Sequence, residues 1–163
     1  MVLMKVKSKK MTNEEIQHIV SGWSETLTFS EEASEFLNME VPVEELHKVC
    51  SQLKSNPDLK FNYLFCVTGM DWGEDLGVIY HLESTEFRHN IVVKVKTSDR
   101  EKPTMDSVSD IWYTAELHEM EVYDFFGIKF NNHPNLKRLF LPLEWQGWPL
   151  RKDYVDEENM IIK

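Results

Sequence analysis

The stretch Asp110–Tyr154, DIWYTAELHEMEVYDFFGIKFNNHPNLKRLFLPLEWQGWPLRKDY, decides how the chain is read. Asp110 is an N-cap residue ahead of an apolar-periodic run and Gly127 is a helix terminator, so the spacing predicts a helix between them. At about 100° per residue, Trp112, Ala115, Glu119, Val122, Tyr123 and Phe126 fall on one side of that helix. Glu119 is the acid in this apolar stripe, and a carboxylate so placed needs a donor or a proton. Downstream, Lys129, His133, Lys137, Arg138, Arg151 and Lys152 supply cations, with Glu144 among them. The reading expects Glu119 to pair with Arg138 or Arg151, anchoring the segment after the helix on the domain.

The rest of the chain gives the element order. Thr12 and Glu15 form a capping box ahead of a short helix that ends near Gly22. Glu25 to Phe29 and Glu35 to Val41 alternate as strands do, with a turn or linker between them. Pro42, Glu44 and Glu45 then open a second helix, with Val43, Leu46, Val49, Cys50 and Leu53 inward, closed by Asn56-Pro57-Asp58. Phe61 to Met70, FNYLFCVTGM, is almost continuously apolar and reads as a central strand covered on both faces. Leu76 to Leu82 returns as its hairpin partner, and Asn90 to Lys96 alternates as a strand with one wet face. Helix, strand, strand, helix, three strands, helix is an α+β order. It predicts a two-layer domain over residues 1–128, with a mixed sheet of about five strands and helices on one face. Residues 129–163 are expected to form an extended C-terminal docking tail.

Composition narrows the function classes. The 163-residue chain fits one domain, and its net charge of −10 argues against nucleic acid as the main partner, since phosphate binding needs a basic face. The two cysteines, Cys50 and Cys66, stand outside any CxxC, too few thiolates for an iron–sulfur cluster. Cys66, in YLFCV, reads as a buried thiol. No apolar run is long enough to span a membrane, and MVLMKVKSKK lacks an apolar core after its lysines. Lys5, Lys7, Lys9 and Lys10 read as a solvated terminus, with contact to anionic lipid as the alternative. GxGxxG, GxxxxGK[ST] and GxSxG are absent, so nucleotide cradling and serine hydrolysis find no motif. His118-Glu119 begins a zinc HExxH motif, but position 122 is Val. His118, Glu121 and Asp124 share a helix edge at three-residue spacing. A solvated acidic edge is the simpler reading; a cation held by Glu121 and Asp124 is the other. Trp145, Trp148, Phe140 and Tyr154, set among prolines and arginines, have the makeup of a protein–protein anchor.

Three segments carry a resemblance: HEMEVYDFFGI at 118–128, HPNLKRLFLP at 133–142 and EWQGWPLRKDY at 144–154. Together they resemble the signature of the 30 kDa-type C-subunit family of NADH-quinone oxidoreductase (respiratory complex I). Small subunits of membrane-bound hydrogenases and of deazaflavin-dependent dehydrogenases share it. Glu119, Glu121, Asp124, Phe125, Phe126 and His133 occupy the pattern's places, and Lys137 and Leu139 match further on. Met120 stands where the family normally has Arg, and Trp148 where many members have His. The resemblance implies a non-catalytic subunit of a complex I-like enzyme, peripheral on the cytoplasmic face of the membrane and holding no cofactor. It implies packing against the large hydrogenase-like subunit and the small iron–sulfur subunit near the quinone site. The end at Lys163 is read as that of a polypeptide separate from the large one. The residues expected to set docking and internal pairing are Glu119, Glu121, Asp124, His133, Lys137, Arg138, Trp145, Arg151, Lys152 and Asp153. The equivalent subunit of an energy-converting hydrogenase is the near alternative. The alternative from another class is a free-standing metal-dependent enzyme using His118, Glu121 and Asp124, with His133.

Overall fold

The computed structural model describes residues 10–30 and 34–156; Lys5, Lys7 and Lys9 lie outside them. The first helix, α1 (Asn13–Ser21), begins on the expected capping box: the Thr12 hydroxyl accepts from the Glu15 amide and the Glu15 carboxylate from the Thr12 amide. Two short strands follow, β1 (Thr28–Phe29) and β2 (Leu37–Glu40), then a 3-10 turn at Val43–Glu45 leading into α2 (Leu46–Ser55). Strands β3 (Tyr63–Asp71), β4 (Leu76–Glu83) and β5 (Asn90–Thr97) are the long ones. The chain continues through β6 (Thr104–Asp106), α3 (Ala115–Phe126) and β7 (Lys129–Asn131).

The five-stranded sheet has the order β1-β2-β5-β4-β3, antiparallel throughout except for the parallel β2–β5 pair. Its inward side chains include Leu37 and Met39, Ile91, Val93 and Val95, Leu76, Val78, Tyr80 and Leu82, and Leu64 and Val67. They share one core with Ile16 and Val20 of α1, Leu46, Val49, Cys50 and Leu53 of α2, and Ala115 and Val122 of α3. This is the expected α+β architecture, a mixed five-stranded sheet in one layer and helices in the other. Period-2 alternation is visible in β5 and β4, where every second residue is buried.

Three expectations are corrected. FNYLFCVTGM does not run through the centre of the sheet: among the described residues β3 is an edge strand, paired only with β4, and Tyr63 and Phe65 are 45% and 38% exposed. Its neighbour β4 is an interior strand, flanked by β5 and β3. Cys66 is partly exposed for the same reason; Cys50 is buried, and both thiols are free. The organising helix starts at Ala115, not after Asp110. Residues 108–112 form a turn, with Ile111 and Trp112 amides donating to the Val108 carbonyl, while Asp110 turns outward to His47 at 2.9 Å. The pair β6–β7, parallel and on either side of α3, has strands of three residues, too short to show as periodicity.

Contact between α3 and β3 depends on Gly69. A Cβ there would lie 2.4 Å from the Phe126 ring, so the missing side chain lets the helix come down onto the strand. The Thr114 hydroxyl donates to the Leu64 carbonyl at 3.1 Å and the Trp112 indole to the Phe61 carbonyl at 3.0 Å, tying the start of the helix to the start of β3.

Candidate functional site

The site is α3 with the segment that returns over it. Gly127 ends the helix in the left-handed region, φ +70°, and its amide closes on the Tyr123 carbonyl. A Cβ at Gly127 would lie 2.4 Å from the Trp148 indole, so glycine is required here by backbone angle and by packing. Trp148 fills that space. It tilts against Tyr123 with ring centroids 5.3 Å apart, and the Arg138 guanidinium lies 4.6 Å from its ring.

Asp124 is the hub. It is fully buried and its Oδ2 accepts the consecutive amides of Leu139, Phe140 and Leu141 at 3.0, 2.6 and 3.0 Å. Arg138 donates to its Oδ1 and to its main-chain carbonyl at 3.0 Å each, then reaches the carbonyls of Trp145 and Gly147. Burial pushes this carboxyl up, but the amides of Leu141 and Phe140, then Arg138, outweigh it and hold the group below its ordinary range. The result is a loop, 138–147, wound around one buried charge.

A second clamp lies further along. Arg151 donates to the Phe126 and Arg100 carbonyls, the Leu150 amide to the Phe125 carbonyl, and the Lys152 amide to Asp71. Asp71 closes β3 and receives Arg100 bidentately at 2.9 Å on each oxygen; Arg100 also reaches Asp153. The Arg100 hydrogen bonds hold the Asp71 carboxyl well below the usual carboxylate range.

Glu119 has neither arginine. Its oxygens accept from the Ser107 hydroxyl at 2.6 Å and the Val108 amide at 2.8 Å, fixing the turn ahead of α3 rather than the segment behind it. Burial pushes its carboxyl up to about 7 against those two hydrogen bonds. Its neighbour His133 comes within 4.0 Å of it, and that ring is held by the Glu116 carbonyl at Nε2 and the Asn135 amide at Nδ1. The expected Glu119–arginine pair is therefore replaced by Asp124–Arg138.

The expected site residues separate into groups. Asp124, Arg138, Arg151 and Asp153 come together along the returning segment, and Lys152 joins through its main chain. Glu119 and His133 lie on the inner side of α3. Glu121 and Lys137 are exposed, Trp145 half-buried, and Met120, where the resemblance expects Arg, buried. His118, Glu121 and Asp124 do not assemble a metal site, because Asp124 is committed to Arg138 and three amides. Among the described residues no group of three or more His, Cys, Asp or Glu is placed to hold a metal ion. The edge is not wholly solvated either, Asp124 being buried. Asp71, Arg100 and Ser107 carry weight that the linear reading missed: Asp71 and Arg100 are strand and loop residues with no local motif. The one local sign is the turn at Asp71, whose carboxylate accepts the Gly73 amide at 2.7 Å.

Beside this framework runs an open groove of about 310 Å³ between β3 and α3, lined by Cys66, Thr68, Glu121, Val122, Phe125 and Leu150 among others. Exposed apolar side chains flank it, including Leu117 at 61%, Phe140 at 64% and Leu150 at 55%.

The family model described as "Respiratory-chain NADH dehydrogenase, 30 Kd subunit" matches residues 39–159. The chain belongs to this family. It is 52% identical over 122 residues to the NADH-quinone oxidoreductase C/D-subunit of Phocaeicola vulgatus, a match covering 74% of this chain and 23% of that one. It is 43% identical over 110 residues to the NADH-quinone oxidoreductase C-subunit of Chlorobium phaeobacteroides, with 66% of each chain covered. The chain thus spans about a quarter of the first relative and just under two thirds of the second. Among solved structures it resembles a trypsin-resistant fragment titled Nqo5, with TM-score 0.67, 26% identity, and coverage of 77% of this chain and all of that one. The fold is shared with a chain of an archaeal membrane-bound sulfane sulfur reductase, with TM-score 0.74, 24% identity, and coverage of 87% of this chain and 85% of that one. Within the 30 kDa family, the Asp124–Arg138 and Asp71–Arg100 clamps are how this member arranges the signature segment. Among the described residues no helix is long and apolar enough to cross a membrane.

Proposed function

We propose that this chain is a non-catalytic structural subunit of a complex I-like NADH:quinone oxidoreductase. It sits in the hydrophilic arm near the quinone site, peripheral to the cytoplasmic face of the membrane. Its contribution to electron transfer from NADH to quinone, coupled to ion translocation, is positional: it buttresses the arm that carries the redox centres. The observation that carries this reading is the ordered return of residues 138–153 over α3, which leaves apolar side chains outward. Leu139, Phe140, Leu143 and Leu150 are 39–85% exposed, although Asp124 holds the Leu139 and Phe140 amides and the Phe125 carbonyl holds the Leu150 amide. A rigid loop with apolar side chains facing water is a surface made for a partner.

The partners are the large hydrogenase-like subunit and the small iron–sulfur subunit. The relatives that carry the double C/D name, in which the matched part is 23% of the length, support direct contact with the large subunit, which this reading places in the remaining length. Within residues 129–163, the part that follows β7 acts as the docking tail, with Lys137, Trp145, Lys152 and the outward leucines toward the partner. The chain itself carries no redox centre: two cysteines supply too few thiolates for a cluster, and the buried acids of α3, Glu119 and Asp124, are committed to Ser107, the Val108 amide and Arg138.

Affinity purification from gently solubilised native membranes, with the co-purifying chains identified by mass spectrometry, tests the proposal. Recovery with a large hydrogenase-like subunit and iron–sulfur subunits is the expected result, and NADH-binding components among them name the complex. Nickel-hydrogenase components instead would assign the chain to an energy-converting hydrogenase. Recovery alone from the soluble fraction overturns the subunit reading.

A further inference from the structure

We infer that the groove between β3 and α3 is filled by an extended segment of a neighbouring subunit, added as a strand to β3 and placing a Lys or Arg against Glu121. This rests on the subunit reading above. It goes further by naming the place, the conformation and the charge of the occupant.

The argument starts from the edge. β3 has nine residues, YLFCVTGMD, and no strand lies beyond it among the described residues. Soluble proteins protect such edges with lysines, prolines, charges or bulges, because open backbone groups recruit other strands. β3 has one such device, the irregularity between Leu64 and Cys66, and its only charged residue is the terminal Asp71, already taken by Arg100. Its two ends are occupied. At the start, the Leu64 carbonyl receives Thr114; at the finish, Asp71 receives Arg100 and the Lys152 amide. The open stretch between them, Cys66–Gly69, borders the groove, whose far wall includes Val122, Phe125, Phe126 and Leu150.

The helix gives the second observation. Tyr113, Leu117, Glu121 and Phe125 recur every four residues, so they form one line along the outer side of α3 and the turn before it. Tyr113 and Leu117 are 84% and 61% exposed, and Phe125 stacks on the exposed Phe140 at 5.7 Å. A helix with apolar residues on both its inner and outer sides is a buried helix of an assembly, not a surface helix of a free chain. Along this line Glu121 is the one charge. It is exposed, it lines the groove, and no ion pair meets it among the described residues, whereas the two buried acids of α3, Glu119 and Asp124, are both satisfied. The complementary occupant is an apolar strand with a cationic side chain. Main-chain hydrogen bonds supply its affinity, and Glu121 with the apolar wall supplies its register.

Hydrogen exchange read on the isolated full chain and on the purified complex, with a charge-reversed variant, tests this. The amides of Val67 and Gly69, which point away from β4, should exchange at least tenfold more slowly in the complex. Glu121→Lys should cut recovery of partner subunits at least tenfold while leaving the isolated chain's melting point unchanged, since Glu121 meets no ion pair among the described residues. Glu25→Lys, the same charge change in the loop before β1 at the far sheet edge, should recover the complex normally. Equal protection of the Val67 and Gly69 amides in the isolated chain would mean its own residues fill the groove and overturns the inference. Protection that rises with concentration of the isolated chain would mean a second copy and overturns it too. A complex that forms normally with Glu121→Lys and leaves β3 unprotected overturns the groove assignment while the subunit reading stands. A wild-type chain that recovers no partner overturns both.

Discussion

The Arg138 guanidinium grips Asp124 twice, donating to its carboxylate and to its main-chain carbonyl at 3.0 Å each. The carboxylate's other oxygen is saturated by three consecutive amides from the loop that Arg138 itself begins. Charge and loop are therefore one unit. Removing the carboxylate leaves a nearly buried guanidinium and three amides without their acceptor. Asp124→Ala is expected to cost on the order of 3–5 kcal/mol. Chemical denaturation measures that loss, and hydrogen exchange should show the amides of residues 139–141 losing protection first. A loss below about 1 kcal/mol would mean the loop is held by its apolar contacts instead.

Gly127 and Trp148 make a pair that can be separated from the charge network. Gly127→Ala meets two obstacles, the left-handed backbone at φ +70° and the indole 2.4 Å from the new Cβ. The backbone part costs about 1–2 kcal/mol wherever the indole is. Trp148→Ala removes the obstructing ring but also the contacts with Tyr123 and Arg138. The double variant should be more stable than the sum of the single losses by about 0.5–3 kcal/mol. Strict additivity in denaturation experiments would show that Trp148 does not press on Gly127.

Arg100 fastens the far end of the returning segment. Its bidentate bond to Asp71 and its contact with Asp153 bring β3, the loop after β5 and the end of that segment together. Arg100→Ala leaves Asp71 with only the Gly73 and Lys152 amides, an expected loss on the order of 1.5–3 kcal/mol. Asp71 is held below its unfolded value of 3.8, so its contribution is present above that value and lost as pH falls below it. The variant should therefore lose less stability on acidification than the wild type, and limited proteolysis should cut earlier after Arg151 or Lys152.

The five strands of the main sheet and the β3–β4 hairpin were legible because β5 alternates and a turn separates β3 from β4, and the first helix because Thr12 and Glu15 bond as their spacing says. The other pairings leave no such local sign, and the parallel β2–β5 joins segments far apart in sequence. The apolar run of β3 misled, since exposed Tyr63 and Phe65 look like core residues in a one-dimensional pattern. The site was legible in its members but not in its pairs. Asp124 lies roughly 140° around the helix from Glu119, off the apolar stripe, and so reads as solvated. What buries it is the segment 138–147, and no local pattern says where that segment returns. Glu119 showed its burial in the sequence, but its partners, Ser107 and the Val108 amide, precede the helix and are neutral.

Glu119 makes a prediction of opposite sign to the aspartates. Its folded carboxyl titrates at about 7 because burial outweighs the bonds from Ser107 and Val108, whereas its ordinary value is 4.5. Between those values the folded state binds the proton and the unfolded state has released it. The contribution of Glu119 is thus fully present below pH 4.5, falls as pH rises, and is gone above about pH 7. Glu119→Gln cannot ionise. Its amide oxygen can accept the Val108 N–H while its NH₂ donates to the Ser107 hydroxyl, so it keeps both contacts. Unfolding free energies at pH 5 and pH 8 should converge in Glu119→Gln, and at pH 8 this variant should equal or exceed the wild type. Glu119→Ala leaves the buried Val108 amide without an acceptor and should lose about 1–3 kcal/mol at either pH. A wild-type profile that is flat between pH 5 and pH 8 while the Gln variant slopes would mean that Glu119 is ionised throughout and that its two donors suffice to hold a buried charge.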